Sequence, residues 1–250
     1  MTPQAISPYP PYPIRRPVMF QTWRSLTFLH WPYEAAVIRP LLPPGLALDT
    51  FNDAAWIGLT PFLLTDLRPP LSPALPWISQ FPEMNVRTYV RGPDGKPGVW
   101  FFTLEADRLA AVIGARLFYR LPYRWARMRV REYNGNMEYQ SRRKWPFGRG
   151  SARIAVRPGE PIEAGPFENF LTARYRLYTT LASRIAFADI EHEPWPLQGA
   201  ELLHLHQDVI QHSSVPPPAG NPVLHFSRSI DVRIGRLRVF KSANTMPGSE

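Results

Sequence analysis

Cysteine is absent from the 250-residue chain, which excludes disulfides, thiolate nucleophiles and cysteine-bound zinc. No run of about 18 apolar residues occurs, so no transmembrane helix is expected. The opening stretch MTPQAISPYPPYPIRRP lacks the charged start and apolar core of a secretory signal. A cytoplasmic location is the resulting expectation. Lysine is scarce: Lys96, Lys144 and Lys241 are the only three among 29 basic residues. A phosphate-binding glycine loop, a G-x-S-x-G elbow and an H-E-x-x-H helix are all missing, and with them the commonest nucleotide, serine-hydrolase and zinc-protease chemistries. The nearest metal pattern is His204-Leu205-His206, with His192, His212 or His225 available to complete a set. No carboxylate sits at a diagnostic offset from it, so no metal and no cofactor are expected.

What is present is apolar and proline-rich. The apolar fraction of 44% supports one large core, and 30 prolines favour turns and extended segments. Residues 1–17 read as a proline-rich extended tail and 241–250 as a flexible tail, leaving 18–240 as one domain. Within it, short runs of period-two alternation dominate. VMFQTWRSLTFLHW (18–31) leads into a short helix near 33–42, with Pro32 in its first turn. Asn52-Asp53 marks a hairpin turn, GPDGKPG (92–98) a longer one and Asn134-Gly135-Asn136 a third. Asp107 is placed to cap a helix whose Leu109, Val112, Ile113 and Leu117 share a face. ENFLTARY suggests another short helix, and strands return near 174–190, 201–211 and 223–240. The pattern predicts a mainly β fold with a few short helices (α+β), a curved antiparallel sheet closing towards a barrel.

Charge is uneven. The net charge is +9, and residues 124–153 carry nine basic residues against only Glu132 and Glu138. Arg127, Arg129 and Arg131 alternate there with Ala126, Met128 and Val130, the pattern of a hairpin with one dry and one wet face. Interleaved Trp125, Tyr133, Tyr139, Trp145 and Phe147 admit stacking on nucleic acid, but the half-wet hairpin is the expected reading. A different alternation occurs in FPEMNVRTYVR (81–91). There Glu83, Asn85, Arg87, Tyr89 and Arg91 share one side of a strand, and Met84, Val86, Thr88 and Val90 the other. Half-wet antiparallel strands are the rule, so the residues alone place this polar side in solvent.

HWPYEAAVIRPLLPPGLAL, FPEMNVRTYVR, GVWFFTLEA, GARLFYRLPYRWARM and FLTARYRLYT together resemble the bacterial family called domain of unknown function 2071 (YqjF-like), over about residues 18–240. That family is similar in fold to acetoacetate decarboxylase. The resemblance implies a curved antiparallel sheet forming a cone or barrel around a central pocket, often in oligomers. ARLFYRLPYRWA (115–126) resembles the decarboxylase segment that holds its lysine pair: Arg116 and Pro122 match, while Tyr123 and Arg124 replace the lysines. Tyrosine cannot form an imine, and arginine is too basic and delocalised to do so, which disfavours Schiff-base decarboxylation. Glu83 matches a pocket glutamate, and His30 lies nearest the position of a pocket arginine.

In a closed cone the polar side of 83–91 turns inward around a ligand. The resemblance then implies Glu83 and Tyr123 as catalytic proton-transfer groups. Asn85, Arg87, Tyr89, Arg116, Arg124 and His30 would contact the ligand, with Glu83 compensating Arg87. The expected function is binding of a compact polar or carboxylate-bearing small molecule. A lyase or isomerase acting on an oxo acid without an imine is the alternative, and a nucleic-acid or interaction protein using 124–153 is third. The expected partner is a small-molecule ligand, with nucleic acid disfavoured, no membrane and a homo-oligomer admitted.

Overall fold

Residues 6–240 are described by a computed structural model of the chain, which is mostly strand. In chain order the elements are β1 (Met19–Glu34), α1 (Ala35–Ile38), β2 (Ala47–Leu48), β3 (Ala54–Arg68), β4 (Phe81–Arg91), β5 (Pro97–Ala106) and α2 (Leu109–Phe118). Then come β6 (Tyr123–Tyr133), β7 (Asn136–Arg143), β8 (Ser151–Pro161), α3 (Pro166–Thr172), β9 (Arg176–Leu181) and β10 (Arg184–Glu191). β11 (Leu197–Gln207), β12 (Val223–Ile234) and β13 (Arg238–Val239) complete the chain. The 241–250 tail and Lys241 lie outside the described residues.

The strands form one sheet that curls back on itself. β5, β6, β7, β8, β11, β12, β1, β3 and β4 are neighbours in that sequence, and β4 pairs again with β5. A second, shorter closure runs from β5 through β9 and β10 to β12, by the pairs Val99 with Leu177 and Ile190 with Ile234. β12, β1, β3, β4 and β5 therefore belong to both closures. One face of them packs into a core that includes Leu59, Met84, Val86, Tyr139 and Ile154. The opposite face packs against α2, α3, β9 and β10, with Phe28, Phe62, Leu104, Phe170 and Leu171 in two further clusters.

Double burial explains β4. Residues 83 to 90 are buried without interruption, the polar ones included. β6 behaves differently: Arg127, Arg129 and Arg131 are exposed, while Met128 and Val130 pack on the ring core. The half-wet expectation holds for β6 and fails for β4, because a second layer covers only the latter.

Several local expectations are corrected. β1 runs on to Glu34, so Pro32 sits opposite Trp56 in the β1–β3 ladder and not in a helix. The Asn52-Asp53 turn is tight, with φ of 50° and 61°, but it joins only the isolated bridge from Phe51 to Ala54. β2 pairs with β4 instead. Asp107 does not cap α2; its carboxylate accepts the Met128 N–H at 3.2 Å and pairs with Arg108 at 3.2 Å, so β6 supplies a tertiary donor in place of the helix end. On α2 only Val112 is buried, and Leu109, Ile113 and Leu117 face outward.

A buried polar cluster on the shared strands

The candidate site lies on the doubly covered face of β12, β1, β3 and β4. Ladder register places its residues side by side. His30 is opposite Gly58, and Gly58 opposite Arg87. Thr60 is opposite Asn85, Phe62 opposite Glu83, and His225 opposite Phe28. Directly opposed residues have Cβ atoms about 5 Å apart, so these side chains are neighbours by construction. Gly58 makes the arrangement possible: a Cβ there would stand 3.0 Å from the His30 ring and 3.5 Å from Arg87 Cγ.

Glu83, Asn85, Arg87, Tyr89 and His30 are all buried. Tyr123 reaches in from β6 and donates its hydroxyl to Glu83 Oε2 at 2.9 Å. Burial pushes Glu83 up to about 8, against which the Tyr123 hydrogen bond acts only partly. Burial and the neighbouring Glu83 hold Tyr123 well above the usual phenol range, so it stays a donor. The Tyr89 hydroxyl donates to the Leu171 carbonyl at 2.6 Å and lies 2.6 Å from His30 Nε2. One hydroxyl carries one proton, so Nε2 must be the protonated nitrogen of His30 and Nδ1 the lone-pair acceptor. Burial first, then Arg87 and His225, keep His30 well below the usual histidine range and hence neutral.

Arg87 is the cation of the cluster, and no carboxylate pairs with it among the described residues. Its polar contact is a long one, 3.4 Å from Nη2 to the Leu171 carbonyl, and its Nε–H is buried without an acceptor. The guanidinium carbon lies 5.3 Å from the Phe28 ring centre. The expected compensation by Glu83 does not occur, because Glu83 turns to Tyr123. By contrast, the buried arginines outside the cluster are paired. Arg143 bonds Glu105 at 2.6 Å, Arg174 bonds Asp49 at 2.7 Å, and Arg176 bonds Asp189 at 2.7 Å.

Unmet hydrogen-bonding capacity is concentrated here. Of ten buried side-chain atoms without a partner among the described residues, six belong to this face: His30 Nδ1, Thr60 Oγ1, Asn85 Oδ1, Arg87 Nε, His225 Nδ1 and Ser227 Oγ. Buried polar atoms are ordinarily satisfied, so six on adjacent strands are a property of the site and not scatter.

Arg116 and Arg124 are not brought to the cluster. Arg116 is exposed and donates to the Tyr123 carbonyl at 2.8 Å, and Arg124 donates to the Phe147 carbonyl at 3.0 Å. Lys96 lies over Tyr12 and Lys144 over Trp125, so neither stands among the cluster residues. Thr60, Ser227, Phe28 and Trp195 escaped sequence reasoning, and His192 and His225 entered it only as histidines that could complete a metal set. A polar residue at every second position of β12 was the available signal for His225 and Ser227. Trp195 closes the cluster edge-on against Phe28 at 5.1 Å and donates to the Thr172 carbonyl at 2.9 Å. His192 packs 5.0 Å from Trp195 and also lines a cleft of about 660 Å³ with Thr22, Glu193 and Asp231. Burial, with a smaller push from Arg87, lowers His192 to about 4.

The chain matches the profile of the domain of unknown function 2071 family, described as an uncharacterized conserved protein, over residues 20–231. It belongs to that family. This family member is 41% identical over 224 residues to the uncharacterized protein YqjF of Bacillus subtilis (strain 168), a match covering 88% of this chain and 92% of YqjF. Its fold is that of acetoacetate decarboxylase. The Legionella pneumophila decarboxylase superposes with a TM-score of 0.60 at 13% identity, covering 92% of both chains. An acetoacetate decarboxylase-like enzyme from Sphingomonas wittichii RW1 gives 0.63 at 12% identity, covering 90% of this chain and 93% of that one. The enduracididine biosynthesis enzyme MppR, solved with pyruvate, gives 0.59 at 12% identity over 90% of this chain and 91% of its own.

Proposed function

We propose that this family member binds a small carboxylate at Arg87, within the cluster on β1, β3, β4 and β12. The observation that carries the reading is a buried guanidinium with no counter-charge among the described residues and an unfilled Nε–H. A lone buried cation is costly, and a carboxylate meets the planar fork of arginine with two parallel charge-assisted bonds. Around it, His30 Nδ1 and Asn85 Oδ1 offer acceptors, which a hydroxyl on the ligand would fill. The cleft at His192 is the proposed route inward, with Trp195 as the side chain to be displaced. MppR was solved with pyruvate, and its likeness in fold is consistent with a ligand of this size.

Native mass spectrometry with pyruvate, lactate and acetoacetate tests the reading. Adducts are expected with at least one of these acids, lost in Arg87→Met and kept in Arg129→Ala. Breaking a buried charge pair from one side costs about 2–5 kcal/mol of affinity, well beyond the resolution of the experiment. Absence of any adduct, or equal binding by Arg87→Met, would reject it.

Glu83 favours a second, catalytic reading. A carboxyl pushed up to about 8 keeps its proton at neutral pH and can act as an acid towards a carbonyl oxygen. Lyase or isomerase chemistry on an oxo acid would then proceed without an imine, as the resemblance of 115–126 to the decarboxylase segment implies by putting Tyr123 and Arg124 in place of its lysines. Deuterium exchange at the methyl carbon of pyruvate, followed by NMR and abolished in Glu83→Gln, is the discriminating result.

A further inference from the structure

We propose that α2, the loop before β4 and the turn between β7 and β8 form a docking surface for an anionic lipid bilayer. Leu109, Ile113 and Leu117 recur every four residues along the outward side of α2, the spacing of a continuous helical stripe. Phe118 extends the stripe at 75% exposure. At the helix start, Arg108 Nε donates to the Trp77 carbonyl at 2.7 Å, which fixes the loop beside Leu109 and leaves the Trp77 side chain 82% exposed. Towards the helix end, the Arg116 guanidinium lies 5.7 Å from the Phe147 ring centre, which joins α2 to the turn bearing Trp145, 88% exposed. Large apolar side chains scattered singly on a surface are ordinary; a connected set of this kind marks an interaction face.

Charge selects the occupant. Residues 108–120 and 142–149 contain Arg108, Arg116, Arg120, Arg142, Arg143, Lys144 and Arg149 and not one Asp or Glu, with Arg108 paired to Asp107 and Arg143 to Glu105. Arg116, Arg120, Arg142 and Arg149 are exposed. A two-fold contact with a second copy would set these cations against one another. Nucleic acid would suit the cations and tryptophans, but it offers nothing to Leu109, Ile113 and Leu117. An aliphatic and aromatic stripe rimmed by arginine is the composition that lies in a lipid interface, with anionic headgroups meeting the cations. No helix among the described residues is long and apolar enough to cross a bilayer, and the proposed contact is peripheral.

Co-sedimentation of the full chain with mixed phosphatidylcholine–phosphatidylglycerol vesicles tests this, with phosphatidylcholine vesicles as the neutral control. Binding is expected only to the mixed vesicles and should weaken with added salt. The double variant Ile113→Gln/Leu117→Gln should bind about tenfold or more weakly at an unchanged urea midpoint, because both side chains are already exposed. Trp77→Ser, in the loop, should weaken binding independently of α2. Failure to bind mixed vesicles overturns the proposal. So does a concentration-dependent dimer in sedimentation velocity that the double variant abolishes, or single-stranded RNA binding that it weakens equally.

Discussion

Burial leaves Glu83 with a proton that a surface glutamate would have lost. Its carboxyl titrates near 8 in the folded chain against an ordinary 4.5. Between those values the unfolded chain has released the proton and the folded chain still binds it. Rising pH therefore favours unfolding, by about 1.4 kcal/mol per pH unit at most, and the penalty stays constant above about pH 8. Glu83→Gln should flatten this part of the urea-stability profile between pH 5 and 8, which are about the limits of the window. An unchanged slope would mean that Glu83 is ionised in the fold. Arg87 presents the converse case. No counter-charge holds it among the described residues, so Arg87→Met should raise the unfolding free energy by about 1 kcal/mol or more. A variant that gains stability while losing ligand is the mark of a residue kept for binding.

Element-scale behaviour turns on what covers each strand. β3 carries Gly58 because β1 brings the His30 ring to within 3.0 Å of the space a Cβ would fill. Gly58→Ala should displace His30 from Tyr89 and cost about 1–3 kcal/mol, as overfilling a packed core does. Urea titration measures the cost, and the His30 ring resonances in NMR report the displacement. β6 has no second layer over its arginines, so Arg129→Ala should change the urea midpoint by less than the equivalent of about 0.5 kcal/mol. α2 shows the limit of periodicity. Four apolar residues at helical spacing correctly indicate a helix, but Leu109, Ile113 and Leu117 form the exposed side and Val112 alone the buried one.

At the scale of the whole molecule, both closures depend on the same strands. The ring core and the opposite clusters both pack on β1, β3 and β4, so loosening these strands exposes both sides. Far-ultraviolet circular dichroism and tryptophan fluorescence should therefore trace one coincident urea transition. Two separated transitions would show that the β9–β10 layer unfolds independently.

Much of this was legible in the order of residues. Turn chemistry at Asn134-Gly135, period-two runs and the scarcity of helix stretches indicated a β-rich sheet, and the wet stripe of Arg127, Arg129 and Arg131 was readable from alternation alone. Alternation also identified Glu83, Asn85, Arg87 and Tyr89 as one face of one strand. It could not say what that face meets, because a period of two distinguishes the sides of a strand without naming the neighbour of either. Closure through β5, β9 and β10 decided that, by pairs such as Val99 with Leu177 and Ile190 with Ile234 that join distant parts of the chain. The pairing of β6 with β5, Tyr123 beside Leu104, brought the phenol to Glu83 and left Arg87 unpaired, since a buried side chain bonds whatever group its neighbours present.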